Sequence, residues 1–218
     1  MRYFMKVLGL GVLCIALWIH GPYSAKTVSA DMDYVTYYKN IIESDVWQSE
    51  IDHSVRVEML QLPEEMIEAM DTDTLADAVL AYPFLGDIYA FDSIEDGVNI
   101  LFGSFNGLRA LEQREEAAGI LLKKYKEFEV LAVSEAEAMD SAAVGDELFA
   151  LSNLEVLMAQ NFVTQGLDDA GRRELGEEAA RKYREKKVCG RYGGTLDTFY
   201  RVLEVTCEDE EVYNQIIQ

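Results

Sequence analysis

The chain has 218 residues, 40 of them Asp or Glu and 19 Lys or Arg, so its formal net charge at pH 7 is −21. Half of its residues are apolar, which is enough to bury a core and excludes a globally disordered chain. So negative a surface repels phosphate, which argues against nucleic-acid binding and disfavours anionic lipid headgroups.

Arg2 and Lys6 open the chain with positive charge, and Val7 to Ile19 follow as a nearly uninterrupted apolar run. The run has the length of a signal-peptide core and is shorter than the roughly 20 residues that span a bilayer. Val28, Ser29 and Ala30 put small residues ahead of Asp31, where a signal peptidase would cut. We therefore expect a signal peptide over 1–30, cleaved rather than retained as an anchor, and a mature chain 31–218 that works outside the cytoplasm, in the periplasm or at the cell surface. Cleavage leaves 16 basic against 40 acidic residues, a net charge of −24 over 188 residues, with Cys189, Cys207 and His53 as the remaining cysteines and histidine. That length suits one domain, and no later run is apolar enough to form a transmembrane segment.

Three prolines and a recurrent three-to-four spacing of apolar residues predict an all-α, irregular multi-helix domain. A first helix is expected over 33–50. Pro63 heads the next, with Glu64 and Glu65 favouring the helix dipole. Asp73 or Thr74 caps a short helix that stops near Tyr82, because Pro83 follows. Asp92 with Glu95 forms a capping-box pattern, after which Ile94, Val98, Leu101, Phe105 and Leu108 share a face. Asn106-Gly107 interrupts that helix where close approach of a neighbour needs room. Beyond a break near Arg114, Ala118, Leu121, Leu122, Tyr125 and Phe128 form a second stripe, with Lys123, Lys124 and Lys126 facing water, and the two read as a helical hairpin.

Ser134 with Glu137 proposes another start, and Leu148, Leu151, Val156, Leu157 and Phe162 a buried helix before Gly166. From Asp168 to Lys187 charge dominates, and only Leu175, Ala179 and Tyr183 form an apolar line, so this helix is expected on the surface and weakly packed. Thr195 to Thr206 is ambiguous: Leu196, Phe199, Tyr200 and Leu203 suit a last helix, and its aromatic and β-branched residues would also suit a strand. The succession of short helical hairpins is one that a solenoid-like array would also produce.

The segment from Leu62 to Phe128 carries Leu-Pro-Glu-Glu-Met, Asp-Thr-Asp-Thr-Leu, Ala-Tyr-Pro-Phe-Leu-Gly-Asp-Ile-Tyr, Phe-Asn-Gly-Leu and Leu-Leu-Lys-Lys-Tyr in that order. In these it resembles an uncharacterised family of secreted helical proteins from gut-associated bacteria. The resemblance covers about a third of the chain and implies export and a helical domain. It brings no activity, substrate or catalytic residue with it.

Candidate chemistry is sparse. A serine triad would need His53 as its base, yet no Gly-x-Ser-x-Gly elbow accompanies it, and a loop histidine between Asp52 and Ser54 is the plainer reading. Cys189 as a nucleophile meets the same shortage of bases, and in an oxidising compartment it is expected to pair with Cys207 as a disulfide. Asp71, Thr72, Asp73 and Asp77 cluster hard oxygen ligands but lack the glycine and terminal glutamate of a calcium loop. Helix capping accounts for them, and no metal or other cofactor is expected.

Asp87 stands out as a charge between Pro83-Phe84-Leu85 and Ile88-Tyr89. It is a turn residue or a carboxylate of raised pKa in a site. Around it Tyr82, Phe84, Tyr89 and Phe91 are aromatic residues that either pack in the core or line a partner groove. The chain thus reads as a secreted or envelope-associated binding or interaction domain whose partner is a protein or another envelope component. The alternative is a small glycosidase-like hydrolase of the cell envelope with paired carboxylates, drawn from Asp87 among 40 acids.

Overall fold

The computed structural model describes residues 33–192 and 196–206, in which thirteen α-helices and one 3-10 helix follow one another and no strand forms. The expected all-α class is observed. No helix among the described residues is long and apolar enough to cross a membrane.

Local capping chemistry decides where the helices begin. The stretch expected as one helix is two, α1 (Tyr34–Ile42) and α2 (Asp45–Ser49). Ser44 interrupts it, because its Oγ accepts the Trp47 N–H at 3.2 Å and caps a new helix. α3 (His53–Met59) starts at Asp52, which accepts the Ser54 N–H, and α4 (Glu64–Ala69) starts after Pro63 as expected. α5 (Thr72–Leu80) is capped by Asp71 rather than by Asp73 or Thr74, with the Thr74 N–H donating to Asp71 Oδ1 at 2.7 Å. Pro83 and a 3-10 helix (Leu85–Ala90) lead to α6 (Ile94–Ser104). Its cap is Ser93 instead of Asp92: Ser93 Oγ accepts from the Asp96 N–H and donates to the Asp96 carboxylate. Where several capping side chains stand in a row, a one-residue shift costs little locally, and burial of the first apolar residues selects the register.

The chain continues as α7 (Asn106–Glu112), α8 (Ala117–Glu127), α9 (Val133–Ala138), α10 (Ser141–Met158), α11 (Asn161–Gly166), α12 (Asp169–Cys189) and α13 (Leu196–Thr206). α6 and α8 do not pair as the hairpin the sequence suggests. α7 lies between them in the chain, and α8 packs chiefly on α5, α10, α11 and α12. Its expected stripe of Ala118, Leu121, Leu122 and Tyr125 is buried. Lys124 leaves the expected water-facing set: its Nζ lies 2.7 Å from Asp77 and 3.2 Å from Asp73, so these two acids of the Asp71–Asp77 cluster hold an ammonium. The last two turns of α10, Leu151 to Met158, are buried on every side, including Ser152, whose hydroxyl donates to the Leu148 carbonyl, and Glu155.

α12 overturns the surface-helix expectation. Leu175, Ala179 and Tyr183 are buried, and so are Lys182, Lys186 and Cys189 on the same stripe. Lys186 Nζ lies 2.6 Å from Glu155 Oε2 on α10, both side chains being fully buried. The same carboxylate accepts the Tyr125 hydroxyl of α8 at 3.2 Å and the Thr198 hydroxyl of α13. Lys182 pairs with Glu178 at 3.1 Å, donates to the Phe128 carbonyl and lies over the Tyr125 ring. Burial pushes both lysines down in pKa, with the facing carboxylates opposing it. The helix ends at Gly190, whose φ of 69° makes a left-handed cap. Cys189 is buried, and Cys207, its expected partner, lies outside the described residues.

Burial also raises the tyrosine hydroxyls, Tyr37 to about 12 and Tyr38, Tyr82, Tyr89 and Tyr125 further. The folded chain therefore keeps phenol protons that an unfolded chain releases near pH 10. A raised pKa contributes stability that is complete below the unfolded value and is lost above it. The lowered lysines act in the opposite sense, but their gain is complete once the pH passes their ordinary value of 10.5. The urea midpoint should accordingly be lower at about pH 11.5 than at about pH 9, with phenolate absorbance appearing together with unfolding. A midpoint that does not fall would contradict these burials.

Candidate functional site

α3, the 3-10 helix and α6 enclose a half-open cleft of about 430 Å³. Val57 of α3, Ile88 of the 3-10 helix, and Ile100 and Leu101 of α6 give it apolar walls, and Tyr82, Phe84 and Phe91 supply aromatic surface. Three of the four aromatic residues singled out in the sequence therefore meet here. Tyr89 does not: it packs against Phe149, 5.5 Å between ring centroids. Both candidate polar residues also belong to the cleft. His53 Nε2 lies 3.0 Å from Asp87 Oδ2, with 62% and 43% of the two side chains exposed, and the imidazole sits 4.6 Å from the Phe84 ring.

The walls are held from behind by contacts that link distant parts of the chain. Phe84 stacks on Trp47 of α2 at 5.6 Å, and the Arg56 guanidinium lies over the Trp47 ring while donating to the Trp47 carbonyl. Tyr82 stacks on Phe105 at 3.8 Å, the residue at which α6 ends and α7 begins. Gly97 brings α6 against the 3-10 helix, since a Cβ there would stand 2.2 Å from the Ile88 carbonyl oxygen. Close approach, which the sequence assigned to Asn106-Gly107, also occurs at Gly107, where a Cβ would stand 2.5 Å from the Phe105 ring.

Asn106 fastens the α3 wall to the α6 wall. Its side-chain oxygen accepts the Leu62 N–H at 3.0 Å and its amide donates to the Leu62 carbonyl at 2.7 Å, while its own N–H donates to Gln61 Oε1 at 2.9 Å. Asn106→Ala removes both side-chain bonds and strands the Leu62 backbone groups, so it should cost about 1–3 kcal/mol in a urea melt. A change within about 0.5 kcal/mol would show that the two walls hold without it.

The polar side chains of the cleft are His53, Ser54, Glu58, Gln61, Asp87 and Ser104. Asp87 and Glu58 both line it, and both are solvated. Tyr82 is buried beneath the aromatic wall, and its hydroxyl has no hydrogen-bond partner among the described residues. Burial, and after it the Asp87 charge, pushes that hydroxyl upward in pKa, so it stays protonated. The two lining serines are engaged elsewhere, Ser54 donating to Asp52 at 2.7 Å and Ser104 to the Ile100 carbonyl at 2.8 Å. His53 thus has a carboxylate beside it but no hydroxyl placed as a nucleophile, and Cys189 is buried on α12, outside the cleft lining.

Among the described residues, no group of three or more acids, histidines and cysteines is arranged to hold a metal. Comparisons with protein families, with curated proteins and with solved structures give no match.

Proposed function

We propose that the chain is an exported binding protein that holds a small ligand with an apolar body in the cleft between α3, the 3-10 helix and α6. The observation that carries this reading is the preformed, aromatic-walled cleft itself, braced by the Trp47–Phe84 and Tyr82–Phe105 stacks. Concave, mostly apolar sites with a few polar groups are the usual form of small-molecule sites. Export through a leader over 1–30, the kinship with secreted helical proteins and a Cys189–Cys207 bridge belong to the same proposal. The hydrolase reading has less support, because it needs a desolvated acid facing a second carboxylate, whereas Asp87 is open to solvent and paired with His53.

Nile red, a neutral dye that brightens in apolar surroundings, tests the reading. It should bind one molecule per chain, and Ser104→Phe, which fills the cleft from α6, should weaken binding at least about tenfold, the equivalent of about 1.4 kcal/mol. Absence of binding, or equal binding by the filled variant, would overturn it.

A further inference from the structure

We propose that the ligand of the cleft is an amphiphilic organic ammonium, an alkyl or aryl amine or quaternary amine with an apolar tail. This rests on the cleft being a ligand site and names the chemistry it selects. The charged groups lining it are the carboxylates of Asp87 and Glu58, with His53 as the only titratable base and no lysine or arginine. Arg56, the cation closest in sequence, is engaged by the Trp47 carbonyl and ring.

A cationic head therefore meets the carboxylates of Asp87 and Glu58 together with the aromatic side chains of Phe84 and Phe91, the combination that attracts ammonium groups to aromatic sites. A carboxylate or phosphate head would meet two like charges and no lysine or arginine. The tail has matching surface in Val57, Ile88 and Ile100. A volume of about 430 Å³ in a half-open cleft suits a small molecule rather than an extended polymer. The excess of 40 acids over 19 basic residues further concentrates organic cations around the protein. His53 approaches Asp87 to 3.0 Å, so the imidazole and the ammonium share that carboxylate.

Three probes of matched tail, octyltrimethylammonium, octanol and octanoate, titrated below their micellar concentrations and followed by calorimetry, separate head-group from tail recognition. The ammonium should bind one per chain and roughly tenfold tighter than octanol, with octanoate weakest. Asp87→Asn should remove most of that preference. Ile100→Arg, at a position 48% exposed and therefore tolerant of substitution, should reverse it in favour of octanoate. Octanol binding as tightly as the ammonium would overturn the proposed chemistry while leaving the cleft as a ligand site. Ammonium binding that both variants leave unchanged would place the site elsewhere and overturn it, and binding of none of the three would overturn the chemistry and weaken the cleft reading with it.

Discussion

Lys186→Met should lower the unfolding free energy by about 3–5 kcal/mol, the cost of leaving one member of a buried ion pair without its partner. Glu155 and Lys186 are both fully buried and 2.6 Å apart, and Glu155 also accepts from Tyr125 and Thr198, so four helices meet at one carboxylate. Removing the ammonium strands that charge among α8, α10, α12 and α13. Glu155→Gln combined with Lys186→Met should regain most of the loss, since glutamine keeps an acceptor for the Tyr125 and Thr198 hydroxyls while no charge remains buried. Urea melts of the two single variants and the pair measure this coupling. Additive losses would show that the two groups do not act as a pair.

Phe105→Ala should cost about 3–5 kcal/mol, the range for emptying a large aromatic site in a close-packed core. Phe105 is fully buried, stacks on Tyr82 at 3.8 Å and fills the space above Gly107 that no Cβ could share. Because it backs Tyr82, the same variant should also weaken Nile red binding in the cleft. A loss below roughly 1 kcal/mol would mean that the junction of α6 and α7 is not part of the core.

Helix content and most breaks were legible in the sequence because they rest on local chemistry, namely apolar spacing, Pro63 and Pro83, and the acids or serines ahead of several helices. The caps fell one to three residues away where eligible side chains stood in a row, as at Asp71–Thr74 and Asp92–Ser93. The buried lysines were missed for a different reason. Lys182 and Lys186 continue the stripe of Leu175, Ala179 and Tyr183, but lysine is ordinarily solvated, and burial here depends on distant partners, Glu155 for Lys186, thirty-one residues away, and the Phe128 carbonyl for Lys182, beside the local Glu178. A usable signal was present: Glu155 is a single acid inside Leu154, Val156, Leu157 and Met158, the same kind of misplaced charge that drew attention to Asp87.

At the cleft, composition identified the residue types and the aromatic cluster, and local sequence named His53, Asp87, Tyr82, Phe84 and Phe91. That they line one cleft could not be read, because His53 of α3 meets Asp87 and Phe84 only through tertiary side-chain contacts, to which no local pattern points. Tyr89 follows from the same limit. Its neighbours in sequence line the cleft, but the 3-10 turn carries its ring to Phe149.

An amide shift map of the isotopically labelled protein during titration with octyltrimethylammonium tests the cleft as a binding site most directly. Saturable shifts should be confined to His53, Ser54, Phe84, Asp87, Phe91 and Ile100, with Val133 and Val188, exposed apolar residues outside the cleft lining, left in place. Shifts spread evenly over the acidic surface, or gathered at any other face while these six stay fixed, would contradict it.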